Sequence, residues 1–314
     1  MLSIIEKKNN KLSKDSVKHE ILTPKSKEAV NGYLLITPAL FLMLVLLLLP
    51  VLAVFTLSFT NWQLGAKQFQ WIGFSNYLNL FKDRVFIRSS LNTLYYSMIV
   101  IPFSVVFGLG IALLIQADRS FQKFYRAVFF LPVMSTFIAM VIVWEYMLHP
   151  NFGLINSLLS RAGFPKIEFL RNEKIVLNTI CGIGIWQQLG YNMILFMAGL
   201  SGISKELYQA AEVDGANNWW HRFTLVTWPQ LGPVTLFVIV ITAIRSFQVF
   251  ESVHVLTMGG PNNASEVMIF TMYEEGFHFL RTGYASSIAV VFMIAVLIIT
   301  IIKSNLIERR IHYK

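Results

Sequence analysis

Charge is scarce in this chain: Asp, Glu, Lys and Arg make up 14% of its 314 residues, against about 25% in soluble globular proteins. Cysteine is scarcer still. Cys181 stands alone, which excludes an intrachain disulfide. No Gly-x-x-x-x-Gly-Lys-[Ser/Thr] loop occurs, so the chain has no phosphate cradle of that kind for ATP. No His/Cys group has metal-ligand spacing, and no metal site is expected. What is abundant is apolar surface: 55% of positions are hydrophobic, above the soluble range, and they lie in long runs. The net charge of +9 is distributed between those runs rather than gathered on a soluble domain. That pattern fits the positive-inside rule and not nucleic-acid binding.

A helix needs about 20 mostly apolar residues to cross a bilayer. Six segments meet that need, near Gly32 to Phe59, Asn92 to Gln116, Ala127 to Leu148, Ile175 to Leu200, Leu231 to Leu256 and Tyr284 to Ile302. The expected fold is an all-α, polytopic membrane protein with six transmembrane helices. Residues 1–28 are expected as a flexible cytoplasmic tail and 29–60 as the first transmembrane helix. Its apolar run is roughly twice the length of a signal-peptide h-region of about 7–15 residues, so an uncleaved helix is expected. A core of five transmembrane helices follows over 88–304, and 305–314 form a second tail. With both termini inside, the cytoplasmic segments hold sixteen Lys/Arg against nine outside, which favours cytoplasmic termini.

One connector is more than a link. Between the fourth and fifth runs, Ser204 can cap a short helix through Gln209, Ala210 and Ala211. Asp214-Gly215 then breaks it, because Gly accepts positive φ and Asp favours turns. Asn217 or Asn218 can cap a second short helix exposing Trp219, Trp220 and Phe223, and Pro229 restarts the chain. The expectation is a helix–turn–helix knob. Read as physics alone, it is either a docking surface or a plain surface loop.

Gln209-Ala210-Ala211, three residues, Gly215, then an apolar segment and Pro229 resemble the signature loop of ABC-importer permeases. Asp214-Gly215-Ala216 resembles the version in carbohydrate importers of the maltose and glycerol-3-phosphate type. Gln209 stands where Glu is usual, and Gly215 to Pro229 is one residue longer than the common pattern. Other segments match in order: Ser58 to Trp62, Trp71 to Tyr77, Asn92-Thr93, Arg126 to Pro132, Val255 to Pro261 and Gly283 to Ala289. Gly259-Gly260-Pro261 and the terminal Glu308-Arg309-Arg310 resemble the first permease of a pair.

The resemblance implies a type I ABC importer permease fold in a bacterial cytoplasmic (inner) membrane, in contact with membrane lipid. It implies a heterodimer with a second permease, two copies of an ATP-binding subunit and an extracytoplasmic solute-binding protein. The chain would have no catalytic residue and no cofactor of its own, ATP being bound by the partners. Glu206, Gln209, Ala210, Ala211, Asp214, Gly215, Ala216 and Pro229 would form the ATPase-coupling loop. The solute would be a sugar or sugar-like compound, glycerol phosphate included, moved by alternating access. Outer segments near Asn151 to Leu170 and Met258 to Arg281 would face the binding protein.

Polar residues inside the runs suggest a substrate path. Trp186, Gln187, Gln188, Tyr191 and Asn192 lie in the fourth, Arg245 and Gln248 in the fifth. Amides can bond sugar hydroxyls and aromatic faces can stack on a ring, although interhelical hydrogen bonding accounts for the same residues. A buried arginine costs about 2.5–3.5 kcal/mol on insertion scales, so Arg245 is expected to pair with Glu251 or Glu145. Gly199-Leu200-Ser201-Gly202 matches a short motif of membrane serine proteases, but His149, His221, His254 and His278 are poorly placed to act as its base. The serious alternative is an ion-coupled secondary transporter of a small polar solute. It would call for inverted repeats, broken helices and intramembrane acidic residues that couple to an ion; no internal repeat is evident, and the acidic residues nearest a span's interior, Glu145 and Glu251, lie toward its outer side.

Overall fold

A computed structural model describes residues 24–117 and 122–308. The rest of the expected tails, 1–23 and 309–314, lies outside the described residues. Two compact units divide the chain, Met1–Thr56 and Leu57–Lys314.

The described part of the first unit is a single apolar helix. Helix α1 (Pro24–Met43) runs through a wide turn at Leu44–Leu48 into α2 (Leu49–Leu57). The turn has a local cause. Pro50 has no N–H and its ring would crowd the Leu46 carbonyl, and in the widened turn Leu49 N–H reaches Leu44 O instead. The described helix already includes Pro24, inside the segment expected as tail.

The second unit holds the remaining helices, and no β-strand occurs among the described residues. After α3 (Ser75–Leu80) comes α4 (Arg84–Ala117), then α5 (Gln122–Met134) and α6 (Phe137–Met147). Short α7 (Leu154–Arg161) precedes α8 (Val176–Ser201). The knob follows as α9 (Lys205–Val213), α10 (Trp219–Arg222) and α11 (Trp228–Gln230). Last come α12 (Gly232–Phe247), α13 (Glu251–Leu256), α14 (Met268–Tyr273) and α15 (Thr282–Glu308).

Among the described residues, three helical segments are long and apolar enough to cross a membrane: Asn31–Leu57, Arg84–Gln116 and Gly232–Leu256. The third expected span, Ala127 to Leu148, is not one rod. It is α5 and α6, bent by 101°. Ser135 back-bonds the Leu131 carbonyl at 3.1 Å, and Thr136 is extended at φ −61°, ψ 123°. Pro132 has already removed one backbone donor. Counted as one broken span, the pair makes a fourth crossing. Helix α8 is long enough at 26 residues but polar in its middle, and Thr282–Ile298 is a shorter apolar helix. Six crossings are consistent with this set.

Helix α8 is the central element. It packs against α4, α5 and α12. One core gathers Tyr96, Val100, Val176, Ile180, Val253 and Phe270. A second gathers Val105, Ala112, Met193, Phe196, Leu200 and Val238. Close approach depends on small residues. A Cβ at Gly190 would collide with the Phe129 carbonyl of α5.

Asparagines hold the connectors. Asn76 donates to the Ser58 and Thr60 carbonyls at 2.8 and 2.9 Å, joining two of the segments singled out above. Asn92 donates to the carbonyls of Asn263, Ala264 and Glu266 (2.9–3.3 Å), and Thr93 Oγ1 accepts from Met268 N–H at 2.9 Å. The Asn92-Thr93 pair therefore fastens the chain after α13 to the start of α4.

Candidate functional site

The knob has the expected caps. Ser204 Oγ accepts from Glu206 N–H at 3.2 Å, and Asn218 Oδ1 accepts from His221 N–H at 2.7 Å. Helix α9 ends in a Schellman motif: Ala216 N–H bonds Ala211 O at 2.8 Å and Gly215 N–H bonds Glu212 O at 3.1 Å. Gly215 is the left-handed residue, at φ +93°, with open space around its Cα. Glycine is therefore required there by backbone conformation and not by crowding.

Arg222 ties the two short helices together. It lies 3.0 Å from the Glu212 carboxylate, and its Nε donates to Ala216 O at 3.0 Å. Tyr208 and Thr227 add a hydroxyl pair at 3.0 Å. The wide turn Phe223–Thr227 stands before Pro229 as Leu44–Leu48 stands before Pro50, and Trp228 N–H reaches Phe223 O. Glu206, Gln209, Ala210, Asp214 and Pro229 are exposed, Ala211 is half-buried, and Ala216 is buried as the hinge of the turn. Trp219 and Trp220 are about three-fifths exposed and stack with Phe223 at 5.4 and 5.8 Å. The knob is thus a rigid unit presenting small residues beside an uncovered aromatic cluster.

The polar residues of the spans divide into two groups. Gln187, Gln188, Arg245 and Gln248 line one cavity of about 230 Å³, together with Tyr96, Phe137, Val249 and Glu251. Trp186, Tyr191 and Asn192 do not line it. Trp186 meets Trp144 edge-on at 5.4 Å, and Asn192 Oδ1 accepts from Thr242 at 3.0 Å, joining α8 to α12. Tyr191 carries Arg245, whose guanidinium carbon lies 3.9 Å from its ring centroid.

The expected ion pair of Arg245 is therefore corrected. Among the described residues neither Glu251 nor Glu145 lies within 4.0 Å of it. Glu145 lines a different cavity of about 340 Å³, with His149, Glu168 and Arg171. No local signal marks Tyr96 and Phe137 as lining residues, because each sits within an apolar run where nothing in the pattern separates wall from core. Ser201 bonds its own helix, donating to Ala198 O at 2.8 Å, not to a histidine.

An all-helical bundle with a capped helix–turn–helix connector and a polar cavity among apolar helices is the architecture of a transport permease. The chain belongs to the family described as the binding-protein-dependent transport system inner membrane component, whose model matches residues 86–313. It is 32% identical over 282 residues to the probable ABC transporter permease protein YurN of Bacillus subtilis, covering 88% of this chain and 96% of that one. It is 30% identical to the arabinooligosaccharides transport system permease protein AraP of the same organism, covering 90% and 89%. A solved bacterial ABC transporter involved in import of the acidic polysaccharide alginate has a chain of the same fold. Its TM-score is 0.80 at 26% identity, with coverage of 92% of this chain and 98% of that one. The chain is thus the permease component of a binding-protein-dependent transport system.

Proposed function

We propose that this permease moves a sugar or sugar-like solute inward by alternating access, driven through its knob by separate ATP-binding subunits. The observation that carries the reading is the rigid, doubly capped turn around Gly215 beside exposed aromatic residues. Such a unit can pass a displacement to α8 and α12, between which it lies in the chain. In this reading both termini are cytoplasmic, and the chain pairs with a second permease and two copies of the ATP-binding subunit. A solute-binding protein meets the opposite face, near the cavity containing Glu145 and Arg171. The chain itself needs no cofactor. The cavity containing Arg245 lies on the solute path. Arabino-oligosaccharides and alginate, named for relatives, support a saccharide, and sn-glycerol-3-phosphate, named for relatives 27–28% identical over 90% of this chain, keeps glycerol phosphate within the solute class. An ion-coupled carrier is not favoured by the family.

Gly215→Val tests the coupling role. A β-branched residue at φ +93° is strained by about 1–3 kcal/mol, enough to remodel the turn. Uptake should fall to background while membrane insertion is unchanged. Normal solute-stimulated ATPase activity in the reconstituted variant would exclude coupling through this turn.

A further inference from the structure

The short helix α3 has three unlike sides. Its inner side is fastened. Asn76 holds the Ser58 and Thr60 carbonyls, and Tyr77 shares a hydroxyl pair of 2.7 Å with Ser58. Leu80 is fully buried in a core with Phe86 of α4, Met268 of α14 and Ile288 of α15. A second side is polar: Asn79 lines a cavity of about 420 Å³ with Asn61, Gln63, Lys82, Asp83 and Arg281. The third side is apolar and uncovered. Phe74, Leu78 and Phe81 are spaced four and then three residues apart, which puts them on one stripe. All three are about two-thirds exposed, as is Trp71 just before them. Trp71 sits on a pinned stretch, where Ile72 N–H donates to Phe59 O at 2.9 Å and Asn61 N–H donates to Gln70 O at 3.1 Å.

The depth of α3 decides what covers this stripe. Ile288 lies about 9 Å along α15 from its first residue, Thr282, so Leu80 stands beside the opening turns of that apolar helix and not beyond its end. Phe86 belongs to the first turn of α4, a helix long and apolar enough to cross the membrane. Asp83 accepts from the Tyr284 hydroxyl at 2.7 Å, which locks the junction of α3 and α4 to the start of α15. All of this is at the end of the molecule away from the knob, since α14 also packs through Phe270 on Val176 and Ile180, where α8 begins.

A stripe at that depth beside a polar cavity has the two-sided character of a membrane-surface helix, which sinks its apolar side about 5–10 Å into the boundary of headgroups and acyl chains. The charges agree. From Leu64 to Lys82 there is no acidic residue, and Lys67 and Lys82 are the only charged ones. That suits anionic headgroups, and it lacks the mixed charges that rim the tryptophans of the knob. Trp71 is of a type enriched at the same boundary.

We propose that Trp71 to Phe81 is an interfacial anchor, with Phe74, Leu78 and Phe81 among the first acyl carbons of the leaflet away from the knob and Lys67 and Lys82 at its headgroups. The anchor fixes the starts of α4 and α15 at the membrane surface. Nitroxide labels on Leu78→Cys, Asn79→Cys and Phe81→Cys test it, in the permease pair with its ATP-binding subunits, in nanodiscs of phosphatidylethanolamine and phosphatidylglycerol. All three positions are exposed, so the label does not enter the core, and the unsubstituted chain with its buried Cys181 is the blank. Power saturation reads collisions with oxygen, which concentrates in lipid, and with a water-soluble nickel chelate. The oxygen-to-nickel ratio should be at least about tenfold higher at 78 and 81 than at 79, as side chains sunk below the headgroups require. Equal ratios at the three positions would overturn the anchor by placing the stripe in water. Immobile labels at 78 and 81 shielded from both reagents would overturn it by placing a protein, such as the second permease, over the stripe.

Discussion

Glu266 shows how one side chain can set the pH response of a connector. It lies in the turn between α13 and α14, 3% exposed, and its Oε1 accepts from Thr271 Oγ1 at 2.9 Å. Burial raises its carboxyl from an ordinary 4.5 to about 7; the Thr271 bond opposes the rise, and Glu274 and Glu275 add to it. A carboxyl whose pKa is higher folded than unfolded binds its proton more tightly when folded. Its stabilising effect is present in full below about pH 4.5 and is lost as pH rises through about 7. The upper bound is roughly 3 kcal/mol between the two limits. Glu266→Gln keeps the acceptor oxygen and removes the titration. The reconstituted variant should be more thermostable than the wild type at pH 8.5 and nearly equal at pH 5. An unchanged pH slope of Tm would assign the dependence to another group.

Helix α8 makes a comparable point for whole elements, because two of its glycines differ only in what faces them. A Cβ at Gly190 would meet the backbone carbonyl of Phe129, which cannot rotate away, whereas one at Gly182 meets nothing within 4 Å. Gly190→Val should cost roughly 1–3 kcal/mol by forcing α5 off α8, and Gly182→Ala should be neutral or slightly stabilising. Thermal unfolding of the two variants in detergent checks the contrast. The apolar run containing Gly190 was legible as a helix, and so were the capped ends of the knob, because run length and Ser/Asn capping are local signals. The break at Ser135-Thr136 was not legible: apolar residues continue on both sides, and only the packing of α5 on α8 and of α6 on α13 separates them. The cavity was legible in part. Gln187, Gln188, Arg245 and Gln248 announce themselves as polar residues in apolar runs. The choice of Tyr191 over a carboxylate as the partner of Arg245 depends on how α8 faces α12, which no local pattern encodes.

At the scale of the whole molecule, two kinds of exposed apolar surface call for different neighbours. Leu34, Leu42, Leu46 and Leu52 of the first unit are all more than half exposed, on a helix with no charge from Gly32 to Leu57. Aliphatic side chains around a whole helix are what lipid tails accept. The knob is different. Its apolar surface is Trp219 and Trp220 stacked on Phe223, flanked by Glu212, Asp214, His221 and Arg222. Aromatic residues rimmed by charges are the composition of a protein interface, where Trp is enriched among the residues that dominate binding. Replacing both tryptophans by serine should leave α9 and α10 intact, because their caps at Ser204 and Asn218 and the Arg222–Glu212 pair involve neither indole. Insertion of the variant should therefore match the wild type. Its affinity for the ATP-binding subunits should fall by at least about 2 kcal/mol, roughly thirtyfold, as expected for losing an interface hot spot. Titrating those subunits onto the purified permease pair measures this directly. Unchanged affinity together with weaker retention in lipid vesicles would instead place the indoles at the bilayer interface, where Trp is also enriched. The two neighbours of the knob are thus separated by a single double variant.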